Sequence, residues 1–359
     1  TFSLEEINLG FLNIDRIVFG NFTASYGQGI VFESNDYFSP RKTGYGFTKR
    51  LIGINPDFTR SMQYVLDGIG IQQSGKYISS SLFSSYATRD AIINKDSSFS
   101  ALITMQPRLP FGVSNDNGKI FNEITNSVNE ITWGGNLRIS PLLGTNFGFT
   151  YYESLYDRVL DPQVVNTITG GDEDSTAAFT LSDYDTYSGD AFFGKNISNS
   201  TDSEIKNMYA SNATSSIFNS VKSFRRVRGF NFSTVIKNIV LQAEYGELLN
   251  DMNLFYFGRD AKAFVINTFT QFDNLNFLLL YRNYDLGYDN PYQRSFSNYQ
   301  RYKTSIFEDS FWLEDPVYGF LYSGSSQPQA EEGLYFTTRY QFHRSAVMYM
   351  NWDVWNRKA

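Results

Sequence analysis

The 359-residue chain has no cysteine and a single histidine. Zinc centres built from Cys and His are therefore excluded within it. Covalent haem attachment lacks its thiols, and Ser-His-Asp catalysis has only His343 to draw on. His343 sits beside Arg344 between two alternating segments, where a solvated turn residue is expected, so no enzyme is expected. Long apolar runs are missing too: no stretch approaches the ~20 residues of a membrane helix, and mean hydropathy is -0.33. Charge of neither sign dominates. Lys and Arg number 30 against 37 Asp and Glu, and the formal charge of -7 argues against a nucleic-acid surface over the whole chain. Absence of cysteine also suits an oxidising envelope. Thr1 opens no signal-peptide pattern, so a targeting segment is expected to lie outside this stretch.

What is present in excess is aromatic: 17% of the residues, including 33 Phe and 25 Tyr. Aromatics favour pleated surfaces and membrane–water boundaries. They fall into a repeated unit of two alternating segments joined by a short polar turn. The clearest copies are Phe230 to Ile236 with Ile239 to Tyr245, Phe264 to Phe272 with Leu275 to Tyr284, and Leu334 to Phe342 with Ser345 to Val354. Their turns are Lys237-Asn238, Asp273-Asn274 and His343-Arg344. Three further hairpins are read over residues 7–26, 63–86 and 130–154, turning near Asn13-Ile14-Asp15, Gln73-Ser74-Gly75 and Pro141-Leu142-Leu143-Gly144.

Between the hairpins lie long polar connections at about 27–61, 87–129, 155–226 and 285–332, and a shorter one near 247–260. Residues 202–221 have helical spacing and predict a loop helix. Short turns on one side and long loops on the other predict a single all-β domain: a transmembrane, antiparallel, up-and-down outer-membrane β-barrel with periplasmic turns and extracellular loops. About twelve strands are expected here. Complete barrels begin and end on the turn side, whereas these hairpins place both ends outside; the expectation is an incomplete segment of a barrel with roughly 14 or more strands.

Alternation then predicts a lumen face carrying Asn21, Thr23, Ser25, Asn231, Ser233, Gln242, Glu244, Arg339, Gln341, Asn351 and Asp353. Such a mixed wall suits either a selective eyelet or an interior zipped shut by its own bonds. Arg225, Arg226 and Arg228 precede a strand on the outer side; they suit lipopolysaccharide phosphates or a basic rim reaching for water. The loop carboxylates Asp172, Glu173, Asp174, Asp183 and Asp185 offer hard oxygen ligands for Ca²⁺, or simply a solvated acidic loop; no other cofactor is expected. Gly27 and Gly29 around Gln28 read as a strand bend rather than a phosphate cradle, because no helix start follows.

Several ordered motifs carry a family resemblance. The string Phe19-Gly20-Asn21-Phe22-Thr23-Ala24-Ser25-Tyr26-Gly27-Gln28-Gly29-Ile30 resembles the "GDY…FGQGL" signature of outer-membrane barrels in Bacteroidetes and Chlorobi, usually labelled helix-hairpin-helix domain proteins. Lys49-Arg50 and Gly53-Ile54 follow in order. Phe83-Ser84-Ser85 with Asp90-Ala91 is similar to that family's "FxSxxxxDA". Leu280-Tyr281-Arg282-Asn283-Tyr284, Tyr288 and Asn290-Pro291-Tyr292 resemble its "YRxYxxxYxNPY", and Glu331-Glu332-Gly333-Leu334-Tyr335 its "NExGLY". The resemblance implies a barrel whose nucleic-acid-binding helix-hairpin-helix units lie outside this stretch, and it brings no catalytic residues.

Together these readings set an expectation of a pore or translocation conduit, with a non-transporting anchor in an envelope complex for secretion, surface display or DNA uptake as the alternative. Expected partners are outer-membrane lipid, lipopolysaccharide and envelope proteins, with no nucleic acid bound by this segment.

Overall fold

A computed structural model describes residues 1–8, 13–34, 52–58, 65–89, 91–93, 99–102, 126–158, 223–249, 256–285, 288, 290–293 and 331–357. Among the described residues fifteen strands run in chain order: β1 Phe2–Asn8, β2 Asn13–Ser25, β3 Gly53–Pro56, β4 Leu66–Ser74, β5 Ile78–Arg89, β6 Ala91–Ile93, β7 Phe99–Leu102, β8 Val128–Leu142, β9 Thr145–Tyr156, β10 Ser223–Ile236, β11 Ile239–Leu249, β12 Lys262–Gln271, β13 Leu275–Tyr284, β14 Glu331–His343 and β15 Ala346–Arg357. Thirteen of them form one antiparallel up-and-down sheet in the order β1-β2-β4-β5-β8-β9-β10-β11-β12-β13-β14-β15, with β3 added beside β2. β6 and β7 form a separate hairpin.

The six expected hairpins are present. Their strands run further than alternation alone foretold, because the ends away from the short turns carry charge on the outer face. The first turn differs: Asn13, Ile14 and Asp15 belong to β2, which pairs with Phe2–Asn8, so the reversal lies between residues 8 and 13. Parts of two expected loops form strands as well, β3 late in 27–61 and the β6–β7 hairpin early in 87–129. The expected helix at 202–221 and the acidic loop with Asp172, Glu173, Asp174, Asp183 and Asp185 lie outside the described residues.

The sheet is curled. Residues 26–34 leave β2, turn back so that Tyr26 N–H donates to Phe32 O at 3.1 Å, and pack on one face of the sheet. Within this fold-back Phe32 meets Phe83 of β5 and Tyr152 of β9, and Gln28 meets Asn267 of β12. Strands β5 and β12 are five steps apart, about 24 Å on a flat sheet, whereas the folded-back segment is only about 10 Å long. Only a concave sheet brings both strands to it. The concave face holds the main core, with Val18, Phe22, Ala24, Ile30, Val31, Phe32, Phe83, Tyr152, Val265 and Leu280. The opposite face is apolar yet uncovered: Leu82 is 67% exposed, Phe147 50%, Met350 49% and Trp352 51%.

Candidate functional site

The inward segment is built around one carboxylate. Gly27 (φ 52°) and Gly29 (φ 84°) adopt left-handed conformations that side chains disfavour. They turn successive backbone N–H groups toward a single point, a concave nest for an anion. That point is Glu244 of β11, 1% exposed. Its Oε2 accepts from the N–H of Gln28 and from that of Ile30 at 3.1 Å, and its Oε1 accepts from Val31 N–H at 3.1 Å. The glycines therefore form an anion cradle after all, filled by the chain's own side chain. A Cβ at Gly27 would stand 2.7 Å from Glu244 Oε2, so glycine is also required by space.

A second clamp comes from the segment after β13. Asn290 Nδ2 donates to the carbonyls of Ile30 and Val31, both at 2.9 Å, and Tyr288 OH donates to Ile30 O at 2.9 Å. Asn290 Oδ1 accepts from Tyr152 OH at 2.5 Å and from Tyr292 N–H at 2.9 Å. Glu33 N–H donates to Tyr292 O at 2.7 Å. Phe32 lies under this clamp, with ring centroids 4.7 Å from Phe83 and Tyr292 and 4.9 Å from Tyr152. Arg89 pairs with Glu130 at 2.6 Å and donates to Tyr292 OH at 2.8 Å, closing the rim above. Burial pushes the phenols of Tyr288 and Tyr292 up, so both stay neutral and available as donors. Residues from the resembling motifs thus converge: Gly27-Gln28-Gly29-Ile30, Phe83, and Tyr288 with Asn290 and Tyr292 meet at one place.

Below this segment, toward the short turns, the inward face is polar. Asn231 and Ser233 face inward, Ser233 accepting from Asn146 Nδ2 at 3.2 Å, and Asn231 packs where a Cβ on Gly148 would sit. Gln242 shares the face of Glu244. Gln341 lies on the same face of β14 as Arg339, whose Nε donates to Tyr349 OH at 3.1 Å; Thr337 Oγ1 donates to Asn351 Oδ1. Asp353 pairs with Arg282 at 3.0 Å.

Two sets of sequence-predicted residues lie elsewhere. Asn21 and Thr23 alternate with Val18, Phe22 and Ala24, and it is these apolar residues of β2 that enter the core. The reason is the inward segment: where it fills the concavity, the wall beside it must be apolar. Ser25 is buried but serves the segment itself, donating to Glu33 Oε2 at 2.8 Å. Arg225, Arg226 and Arg228 do not reach outward to phosphate; all are at most 3% exposed. Arg226 pairs with Glu153, and Arg228 with Glu247, each at 3.0 Å. Arg225 donates to Tyr156 OH at 3.1 Å. Residues 256–258 fold over the Arg228 pair: Tyr256 O accepts from Arg228, Gly258 N–H donates to Glu247 Oε1 at 2.6 Å, and the Phe257 ring lies 3.9 Å from the guanidinium. A buried charge is tolerated only with such partners.

Sequence reasoning missed Phe32, Glu33, Arg89, Glu130 and the clamping role of Asn290. One signal was available: Ile30-Val31-Phe32 is an apolar triplet inside a connection read as wet loop. No protein-family model matches the chain, and no curated protein matches it.

Proposed function

We propose that this chain forms wall of an outer-membrane β-barrel and acts as a gated conduit, with residues 26–34 as its plug. The observation that carries the reading is the inversion of the sheet. Its outer face exposes Leu82, Leu137, Phe147, Met350 and Trp352, while its concave face is polar at one end and sealed at the other. Large contiguous apolar surface is unfavourable in water and suited to lipid. Between β1 and β15 the ladders pair the backbone groups of the intervening strands, so that stretch of wall offers hydrocarbon none of them unmet. Outer-membrane lipid and lipopolysaccharide are then the partners of the convex face.

The plug is small and lies within the concavity; its glycine loop is held by the side chains of Glu244, Tyr288 and Asn290, and backbone bonds tie only its end to β2 and to Tyr292. Releasing it opens a path without breaking the sheet. Bilayer conductance tests this. The full chain should be quiet, and a variant with residues 27–31 replaced by a flexible link should conduct. If both are silent the conduit reading fails.

A second reading, a non-transporting anchor of an envelope complex, draws on the density of the plug core. Phe32 touches three aromatic rings, which is packing suited to a permanent seal. Silent channels together with a stably co-purifying envelope protein would favour it.

A further inference from the structure

Beneath the plug the concave face opens toward the short turns as a shallow vestibule whose fixed charge is net positive. Arg16 of β2, Arg138 of β8 and Arg339 of β14 face inward, set three, four and four residues inside the strand ends Asn13, Leu142 and His343. At about 3.3 Å per residue they form one level, roughly 10–13 Å from the turn side. Their strands are the second, fifth and eleventh along the sheet, so they stand around the curve rather than in a patch.

We propose that this vestibule selects anions, so that the conduit admits small anionic solutes; the inference rests on the conduit reading above. Arg138 Nε donates to Ser79 Oγ and Arg339 Nε to Tyr349 OH, each at 3.1 Å. Both acceptors are neutral, so the two guanidiniums keep their charge toward the interior. Among the described residues of the turn-side half, the inward carboxylate is Glu5, and Arg16 pairs with it at 3.0 Å. The other acids of this face are taken up by their own partners: Glu244 by the plug amides, Glu130 by Arg89 and Asp353 by Arg282. Tyr349, 68% exposed beside Arg339, shows that the level is open to solvent. At the rim, exposed Lys76, Lys237 and Arg344 stand against Glu6, Asp15 and Asp273, three charges of each sign, so the net charge of the turn side comes from the guanidiniums within. Rings of Arg or Lys are the ordinary device of anion pores. At ~10 Å in water one unit charge favours a monovalent anion by about twofold and two by about fourfold; a Debye length of about 10 Å cuts this to about 1.7-fold, and the matching penalty on a cation brings the anion-to-cation ratio to about threefold.

The test is the reversal potential in a KCl gradient across planar bilayers holding the full chain and the plug-shortened variant. Chloride should be preferred over potassium by about threefold. The preference should fall toward unity in Arg138→Gln/Arg339→Gln, while Lys262→Gln at the far strand end leaves it unchanged. An unselective or potassium-preferring current overturns the proposal and leaves the conduit standing. If neither protein conducts, the conduit reading falls, and binding of a trisulfonated pyrene dye to the detergent-solubilised full chain decides the vestibule by fluorescence anisotropy. Saturable binding that weakens several-fold in the double variant supports an anion site there; no saturable binding, or binding that the double variant leaves unchanged, overturns it.

Discussion

Replacing Glu244 with Gln exchanges one carboxylate oxygen for an NH₂ group and should unseat the plug. The carboxylate accepts three N–H groups, two on Oε2 and one on Oε1. A glutamine carbonyl can serve one side of that set, while its NH₂ must face a donor. At best one amide is orphaned, at about 1–3 kcal/mol, and two bonds lose their charge assistance, at about 1 kcal/mol each. The sum is about 3–5 kcal/mol against the docked plug, which raises its undocked population about 160- to 5000-fold at 1.36 kcal/mol per tenfold. Hydrogen exchange followed by mass spectrometry reads this directly on a peptide spanning residues 26–32. The amides of Gln28, Ile30 and Val31 should exchange far faster in the variant, while peptides from β12 and β13 stay protected. Unchanged protection at 26–32 would refute the latch, because no other change could leave three buried amides so poorly served.

Two further outcomes follow from the two faces. Leu82→Arg, at an outward mid-strand position, should cost about 2–4 kcal/mol in folding from liposomes if that face meets lipid, and close to nothing if it meets water; the urea midpoint separates the two. Arg228→Met should cost about 3–5 kcal/mol by stranding Glu247, whereas Arg228→Met with Glu247→Leu should recover most of it. A double variant no more stable than the single one would contradict the pairing.

Much of the sheet was legible because its signal is local. Lys237-Asn238 and Asp273-Asn274 fall at reversals between long strands; the last reversal is Arg344-Ser345, one residue past the expected His343-Arg344, because His343 still pairs with Ala346; and the alternation of β10, β11 and β14 assigns faces that the register of the sheet keeps. The parity of β2 was misread for a physical reason. Polar-inward holds where the interior is wet, and Phe22 and Ala24 face a stretch of chain that makes it dry. Arg226 looked like a rim cation because Glu153 comes from β9, 73 residues away, whereas Glu247 stands directly opposite Arg228 across the β10–β11 hairpin and was within reach of that hairpin's register carried to the strand ends. The plug itself left only the triplet Ile30-Val31-Phe32 and two glycines as traces. Its holding carboxylate stands more than two hundred residues away, and nothing in the spacing of either segment points to the other.

That separation also sets an order of assembly. Each strand of the meander finds its neighbour across a short turn or a single connection, so the wall can grow by successive local pairings. The early segment cannot. Its bonds to Glu244 and Asn290 span 216 and 260 residues, and the loop closure they require becomes cheap only once the intervening strands are in place. Residues 26–34 therefore settle only after β11 and β13 are in place. Under the conduit reading the growing wall stands unstoppered until then, and docking of the glycine loop on its glutamate fills the concave core last.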